Sequence, residues 1–111
     1  MSLLTLQARA LPLTVIEMER HVHSSQAFIP LDCASYLVLV APQRADELPD
    51  TSQIRAFRVP GDTGINYKAD TWHYPLSPLE RIARFATLTF VEGTAGDEQF
   101  VPLPHSVVIE T

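Results

Sequence analysis

The sequence predicts an all-β domain whose many short strands form a sandwich, a jelly roll or a barrel. Short runs of β-branched and aromatic residues recur along the chain, with turns rich in proline and glycine between them. Helix signals are scarce, the best being Ser77–Ala83, where Ser77 can cap a helix that begins at Pro78. The length of 111 residues predicts one domain over residues 1–111, and the hydrophobic fraction of 46% is typical of a globular fold.

The segment Leu3–Arg20 allows two interpretations. Thr14 and Glu17 match a capping box, which would open a short helix. The same segment alternates as a strand, and we favour the strand because the next apolar run, Ala27–Leu31, is short and ends at a turn. Pro30 makes that run an edge strand or a bulged strand. The two predicted faces of the first strand carry Val15, Glu17, Glu19 and His21 on one side, and Thr14, Ile16, Met18 and Arg20 on the other.

The rest of the chain continues this pattern of short extended segments. Ser35–Ala41 is an almost continuous apolar run, which is typical of a buried strand. Pro42–Gln53 is polar with two prolines and is the clearest loop, and the glycines of Gly93–Asp97 predict a hairpin turn. Further strands are predicted at Ile54–Val59, Ile65–Tyr67, Trp72–Tyr74, Arg84–Glu92, Phe100–Pro102 and Val107–Ile109.

Charge and cysteine content argue against several classes of protein. A formal net charge of -5 with only eight Lys and Arg residues lacks the basic surface of a nucleic-acid-binding protein. No apolar run approaches the ~20 residues that span a bilayer, and the first residues lack the charged start of a signal peptide. The single cysteine, Cys33, excludes an intrachain disulfide and suits a reducing cytoplasm. We expect a buried or half-buried thiol there rather than a catalytic one.

Two short polar clusters carry most of the reactive side chains. The first is Glu19–Gln26, in which strand spacing would put the imidazoles of His21 and His23 on one face, close enough to share a divalent metal. The second is Gly61–Pro75, in which His73 lies between two aromatic residues. We expect His73 to be partly buried, as a metal ligand, a base or an ordinary core histidine. The two clusters are predicted to face each other across a β-barrel and to form one pocket.

The spacing of these residues resembles the two-motif pattern of the cupin superfamily. His21 and His73 match the pattern, whereas Glu19 replaces the first histidine and Gln26 replaces the glutamate. Longer segments are similar to the ureidoglycolate lyase family of allantoin breakdown, over about Leu11–Pro75. These segments are LPLTVIEMERH, SSQAFIPL, DTSQIRAF and PGDTGINYKADTWHYPL.

The resemblance implies a cupin-like jelly-roll barrel, or double-stranded β-helix, with at most one short helix. It also implies a homodimer that splits ureidoglycolate into glyoxylate and urea with nickel or another divalent metal and no organic cofactor. Such an elimination needs a base, an acid and a cation for the substrate carboxylate. Relatives carry a further N-terminal segment where this chain has Met1–Ala10, so the alternative is a non-catalytic cupin module that binds a small carboxylate or a metal.

The resemblance also implies roles for individual residues. The catalytic and metal-binding residues would be Glu19, His21 and His73, with His23 as the alternative third ligand. The substrate-binding residues would be Gln26, Asn66, Tyr67 and Lys68. Arg20, on the other face of its strand, is expected to form a structural ion pair.

Overall fold

The computed structural model describes residues 1–90 and 97–110 and is built from two antiparallel sheets. Its ten strands are β1 Ser2–Leu6, β2 Leu13–His21, β3 Ser25–Asp32, β4 Ser35–Ala41, β5 Arg55–Pro60, β6 Ile65–Tyr67, β7 Trp72–His73, β8 Ser77–Leu79, β9 Ala83–Phe90 and β10 Glu98–Ile109. The small sheet has the order β1-β9-β3-β6. The large sheet has the order β10-β2-β7-β4-β5, and β8 also pairs with β4. The predicted all-β class is confirmed, and the architecture is consistent with a jelly-roll barrel.

The fourth strand explains how the two sheets are held together. One of its faces carries Tyr36 and Val38, which pack with Phe85 of the small sheet in a core shared by both sheets. Its other face carries Leu39, which packs with Trp72 in a second core formed by the large sheet. Because both faces of β4 are buried, its sequence is apolar without alternation. The predicted bounds of this strand are confirmed.

The second strand forms as predicted, but its side chains do not alternate in a single phase. Val15 lies in the same core as Met18, whereas the two residues between them are both exposed. The register between β2 and β10 shifts between Pro102, which pairs with Glu17, and Val107, which pairs with Val15. This irregularity shifts the phase, so the prediction that Val15 shares a face with Glu19 was wrong.

The predicted helix at Ser77–Ala83 was also wrong. Ser77–Leu79 is strand β8, which is buried and pairs with β4. A helix-capping pattern contributes about 1 kcal/mol, which burial against a strand outweighs. Within the described residues, the helical element is a single 3-10 turn at Thr51–Gln53, capped by the side chain of Asp50. None of the described helices is long and apolar enough to cross a membrane.

Two other predictions are partly right. β3 is an internal strand and not an edge, although its register with β9 shifts between Pro30 and Asp32, as a bulge requires. The two strands predicted near the C-terminus are paired segments of the single strand β10, separated by its irregular part. The predicted turn Gly93–Asp97 lies outside the described residues except for Asp97 itself.

The turn after β5 depends on a close backbone approach. A side-chain Cβ at Gly61 would lie 1.9 Å from the carbonyl oxygen of Cys33, so this position requires glycine. The Cys33 side chain is partly buried, and burial raises the pKa of its thiol. The expectation of a half-buried thiol is therefore confirmed.

Candidate metal and substrate site

The structure brings Glu19, His21 and His73 together. One ligand atom of each residue lies within 4.8 Å of the other two. Glu19 and His73 are direct neighbours across the pairing of β2 with β7, and Glu19 Oε1 lies 3.4 Å from His73 Nε2. The rings of His21 and His73 are stacked, with centroids 5.9 Å apart and planes at 19°. The two predicted clusters thus meet because β7 lies beside β2.

His73 is held in one orientation by its surroundings. The residue is 3% exposed, and its Nδ1 atom lies 2.9 Å from the carbonyl oxygen of Thr71. A carbonyl oxygen can only accept a hydrogen bond, so Nδ1 carries a proton, and in the neutral ring the lone pair lies on Nε2. The Tyr67 ring stacks on the imidazole at 4.2 Å between centroids. His73 therefore presents Nε2, the ligand or base atom, towards Glu19.

His21 has a carboxylate neighbour that the sequence analysis did not identify. Asp97 Oδ2 lies 3.4 Å from His21 Nδ1 and accepts a hydrogen bond from the Ser24 hydroxyl at 2.8 Å. Its Oδ1 accepts from the backbone N–H of His23 at 2.7 Å. Burial alone would raise the pKa of Asp97, but these donors outweigh burial and lower it. The only sequence signal was an aspartate in a predicted turn, where a local role is the usual explanation.

A cavity of about 170 Å³ lies next to this cluster. Its polar lining residues are Glu19, Gln26, Tyr67 and His73, and its apolar lining residues are Leu4, Leu6, Phe28, Pro75 and Leu76. Tyr67 is 5% exposed, and its hydroxyl has no hydrogen-bond partner among residues 1–90 and 97–110. Burial, followed by the nearby Tyr36 and Glu19, raises the pKa of Tyr67, so its hydroxyl is a neutral donor.

The other predicted substrate-binding residues divide between two places. Gln26 pairs with Tyr67 across β3 and β6, and both line the cavity. Asn66 and Lys68 are exposed and line a second, mainly apolar groove of about 460 Å³, which Tyr67 also lines. Side chains alternate along β6, so Asn66 faces away from the side taken by Tyr67. The structure therefore does not bring Asn66 or Lys68 to the cavity.

His23 also lies outside the cluster. β2 ends at His21, so the strand spacing that would place both imidazoles on one face does not extend to His23. The side chain of His23 is exposed, and the residue contributes its backbone N–H to Asp97. Among the described residues, Glu19 completes the three-residue cluster in its place.

Arg20 supports the site from the opposite face of β2. Its guanidinium forms an ion pair with Asp70 at 2.9 Å, hydrogen bonds to Gln99 Oε1, and lies 4.7 Å from the centroid of the Trp72 ring. The backbone N–H of Asp70 donates to the carbonyl oxygen of His21 at 2.8 Å. The expected structural ion pair is therefore present, and it fixes the turn before β7 against β2.

The donor set fits a divalent metal. One carboxylate and two imidazoles are the ligands that nickel, zinc and iron take in proteins. The hydrogen bond from His73 Nδ1 to the Thr71 carbonyl oxygen is the outer-shell contact that metal-binding histidines usually make. Neither Lys nor Arg lines the cavity within the described part of the chain. A bound cation at the cluster would therefore be the main positive charge available to an anionic ligand.

Comparison with known proteins finds similarity to one family. The family model described as ureidoglycolate lyase matches residues 1–110. Proteins named ureidoglycolate lyase from Escherichia coli strain K12 / DH10B, E. coli O139:H28 and Shigella boydii serotype 18 are each 43% identical over 82 residues. The matches cover 74% of this chain and 50% of each relative. The chain thus spans about half the length of the curated relatives it matches.

Proposed function

Since this chain belongs to the ureidoglycolate lyase family, we propose that it cleaves ureidoglycolate into glyoxylate and urea. In this elimination the bond between the central carbon and the ureido nitrogen breaks, the hydroxyl loses its proton to become a carbonyl, and the nitrogen gains a proton. The observation that carries the proposal is the convergence of Glu19, His21 and His73 beside a small, partly polar cavity. The volume of about 170 Å³ suits a substrate of this size.

We assign Glu19, His21 and His73 as the residues that would hold a divalent metal, with nickel as the proposed ion. When bound, the metal would supply positive charge that stabilises the substrate carboxylate and the negative charge developing on the substrate oxygen. The stacking of the two imidazoles and the buried position of His73 keep the ligands in place before the metal arrives.

The remaining lining residues bind the substrate and move protons. The Glu19 carboxylate accepts the hydroxyl proton and returns it to the leaving ureido nitrogen. The Tyr67 hydroxyl donates a hydrogen bond to the substrate, and the Gln26 carboxamide pairs with the ureido group, because each has both a donor and an acceptor. Leu4 and Phe28 exclude water from the reacting atoms. Roles in substrate binding for Asn66 and Lys68 stay predictions.

The test is glyoxylate release from ureidoglycolate by the purified protein, with added Ni²⁺, with a chelator, and in the variant His73→Ala. His105→Ala is the matched control, because His105 is an exposed histidine on β10. We expect metal-dependent turnover that His73→Ala abolishes and His105→Ala retains. No turnover above background from folded protein would overturn the lyase proposal and leave a cupin module that binds a small carboxylate or a metal.

We also propose that the protein is a single-domain homodimer of the cytoplasm. β1 and β10 end their sheets and pair on one side only within the described residues. Large apolar side chains are exposed on the small sheet, including Leu3 and Ile29, which flank Ala86 in register. Covering such surfaces is what a second copy would provide. Light scattering of the purified protein would give the mass directly, and a monomer at micromolar concentration would contradict the dimer.

A further inference from the structure

Asp97 is the residue directly before β10, and several contacts fix its side chain beside His21. Its carbonyl oxygen accepts the backbone N–H of Val22 at 2.7 Å, which ties the residue to the end of β2. Its two carboxylate oxygens accept from the His23 amide and the Ser24 hydroxyl. The Asp97 side chain is 13% exposed and Ser24 is 2% exposed. The carboxylate is therefore held in place independently of His21.

This fixed carboxylate faces His21 Nδ1 at 3.4 Å. An ionised carboxylate can only accept hydrogen bonds, so it favours the form of His21 in which Nδ1 carries the proton. The lone pair of the neutral ring then lies on Nε2. The arrangement matches that of His73, whose Nδ1 proton is fixed by the Thr71 carbonyl. Both rings would then present the same nitrogen as the ligand atom.

We propose that Asp97 is a positioning residue for His21: it holds the Nδ1–H tautomer and the ring orientation, and so leaves Nε2 free to bind the metal. Asp97 would not touch the metal or the substrate itself. A carboxylate in this outer position fixes the tautomer and raises the basicity of a histidine ligand. Because it concerns one of the three assigned ligands, this role rests on the proposed function.

The test uses the isosteric variant Asp97→Asn. An asparagine keeps the shape of the side chain and one acceptor oxygen for the His23 amide, but its NH₂ group is a donor. Because this NH₂ group would face His21 Nδ1, it favours the tautomer in which Nδ1 has no proton and Nε2 carries one. The measurements are the ¹⁵N chemical shifts of the histidine ring nitrogens and calorimetric titration with Ni²⁺.

We expect wild-type His21 to show the Nδ1–H tautomer and Asp97→Asn to show the Nε2–H tautomer. The Ni²⁺ affinity should fall about 10- to 100-fold in the variant. His73 serves as an internal control, because its tautomer depends on Thr71 and should not change. Asp62→Asn is the matched control on an exposed turn, where the side chain contacts Thr63, and it should leave both readouts unchanged.

Three outcomes would overturn the role of Asp97. The first is an Nε2–H tautomer for His21 in the wild type. The second is an Asp97→Asn variant that keeps the Nδ1–H tautomer of His21 and binds Ni²⁺ with an affinity within twofold of the wild type. The third is a folded wild type that binds no Ni²⁺. If Asp97→Asn does not fold, the ¹⁵N spectrum of the wild type still tests the tautomer of His21. Ser24→Ala is then the second variant, because it removes one hydrogen bond that supports Asp97 while leaving His21 untouched. Neither readout uses ureidoglycolate, so a wild type that shows the tautomer and binds Ni²⁺ without turnover refutes the lyase proposal alone.

Discussion

Glu19 Oε1 lies 3.4 Å from His73 Nε2, across the one register pair that joins β2 to β7. β7 contains two residues and is inserted between β2 and β4, where His73 also pairs with Val40. Two residues that are distant in the sequence therefore share one site because a very short strand completes the large sheet. The geometry of the site depends on the contacts that keep this strand in place.

The first prediction concerns the carboxylate of the cluster. Glu19→Gln replaces a charged oxygen ligand with a neutral one, so the Ni²⁺ affinity should fall by about tenfold or more. Calorimetric titration with Ni²⁺ measures the change. Glu17→Gln is the matched control, since Glu17 lies on the same strand and is exposed to solvent. Equal affinities in Glu19→Gln and Glu17→Gln would show that the carboxylate does not bind the metal.

The second prediction concerns the support behind the cluster. Arg20→Met removes the ion pair with Asp70 and the hydrogen bonds to Gln99 while keeping the aliphatic length of the side chain. Because Arg20 is buried but Asp70 is 41% exposed, we expect the free energy of unfolding to fall by about 1–3 kcal/mol. Urea denaturation measures this loss.

The matched control for Arg20 is Arg44→Met. Arg44 pairs with Asp46 at 2.8 Å, but the side chains are 52% and 45% exposed, so the loss should be about 0–1 kcal/mol. Because Arg20 fixes the turn before β7, its variant should also bind Ni²⁺ more weakly than the control. A loss of stability no greater than that of Arg44→Met would show that the buried contacts do not stabilise the turn.

Local sequence patterns were enough to predict most of the strands but not which strands pair. The bounds of β4 and β6 follow from apolar runs and turn residues, and they agree with the structure. The failed helix at Ser77–Ala83 shows the limit, because a local capping signal cannot report the presence of β4 alongside. The shifted face of Val15 has the same cause, since the irregularity lies on the partner strand.

The candidate site was predictable to the extent that it follows motif spacing. Glu19, His21 and His73 were identified by resemblance, and the structure brings them together. Asp97 was missed because its contacts with Ser24 and His21 are made across the fold. Conversely, Asn66 stands beside Tyr67 in the motif but on the opposite face of β6. A motif therefore identifies the segment that forms a site, while strand alternation decides which of its residues enter it.

The third prediction concerns stability at high pH. Burial, with a smaller effect from Cys33, raises the pKa of Tyr36 to about 12, from an ordinary value of 10.0. The folded state therefore keeps the proton longer than the unfolded state does. The stabilisation is complete below about pH 10 and is lost as the pH rises towards 12. Tyr36→Phe removes this titration, so its stability should fall less steeply over that range.

Urea midpoints for wild type and Tyr36→Phe at several pH values between about 8 and 11 measure the difference. Any other group that titrates in this range is present in both proteins, so the difference between the two curves isolates Tyr36. Parallel curves would contradict the assigned burial of the phenol. At neutral pH the variant should still be the less stable protein, because it loses the hydrogen bond to the Thr63 carbonyl.

The last prediction compares two buried tyrosines at neutral pH. The Tyr36 hydroxyl donates to the Thr63 carbonyl oxygen at 2.5 Å, so Tyr36→Phe should cost about 1 kcal/mol of stability. The Tyr67 hydroxyl has no partner among the described residues, so Tyr67→Phe should leave stability unchanged or raise it slightly. Urea denaturation of both variants at the same pH tests this order.

The proposed lyase activity should follow the opposite order. Tyr67 lines the cavity beside Glu19, so Tyr67→Phe should lower kcat/KM for ureidoglycolate by about tenfold, the loss of roughly one substrate hydrogen bond. Tyr36→Phe should retain wild-type activity, because Tyr36 is not among the residues that line the cavity. A variant at Tyr67 that is both less stable and fully active would show that its hydroxyl serves folding. The Tyr67 hydroxyl is distinguished by its position, because it is a buried hydroxyl at the lining of the cavity beside Glu19.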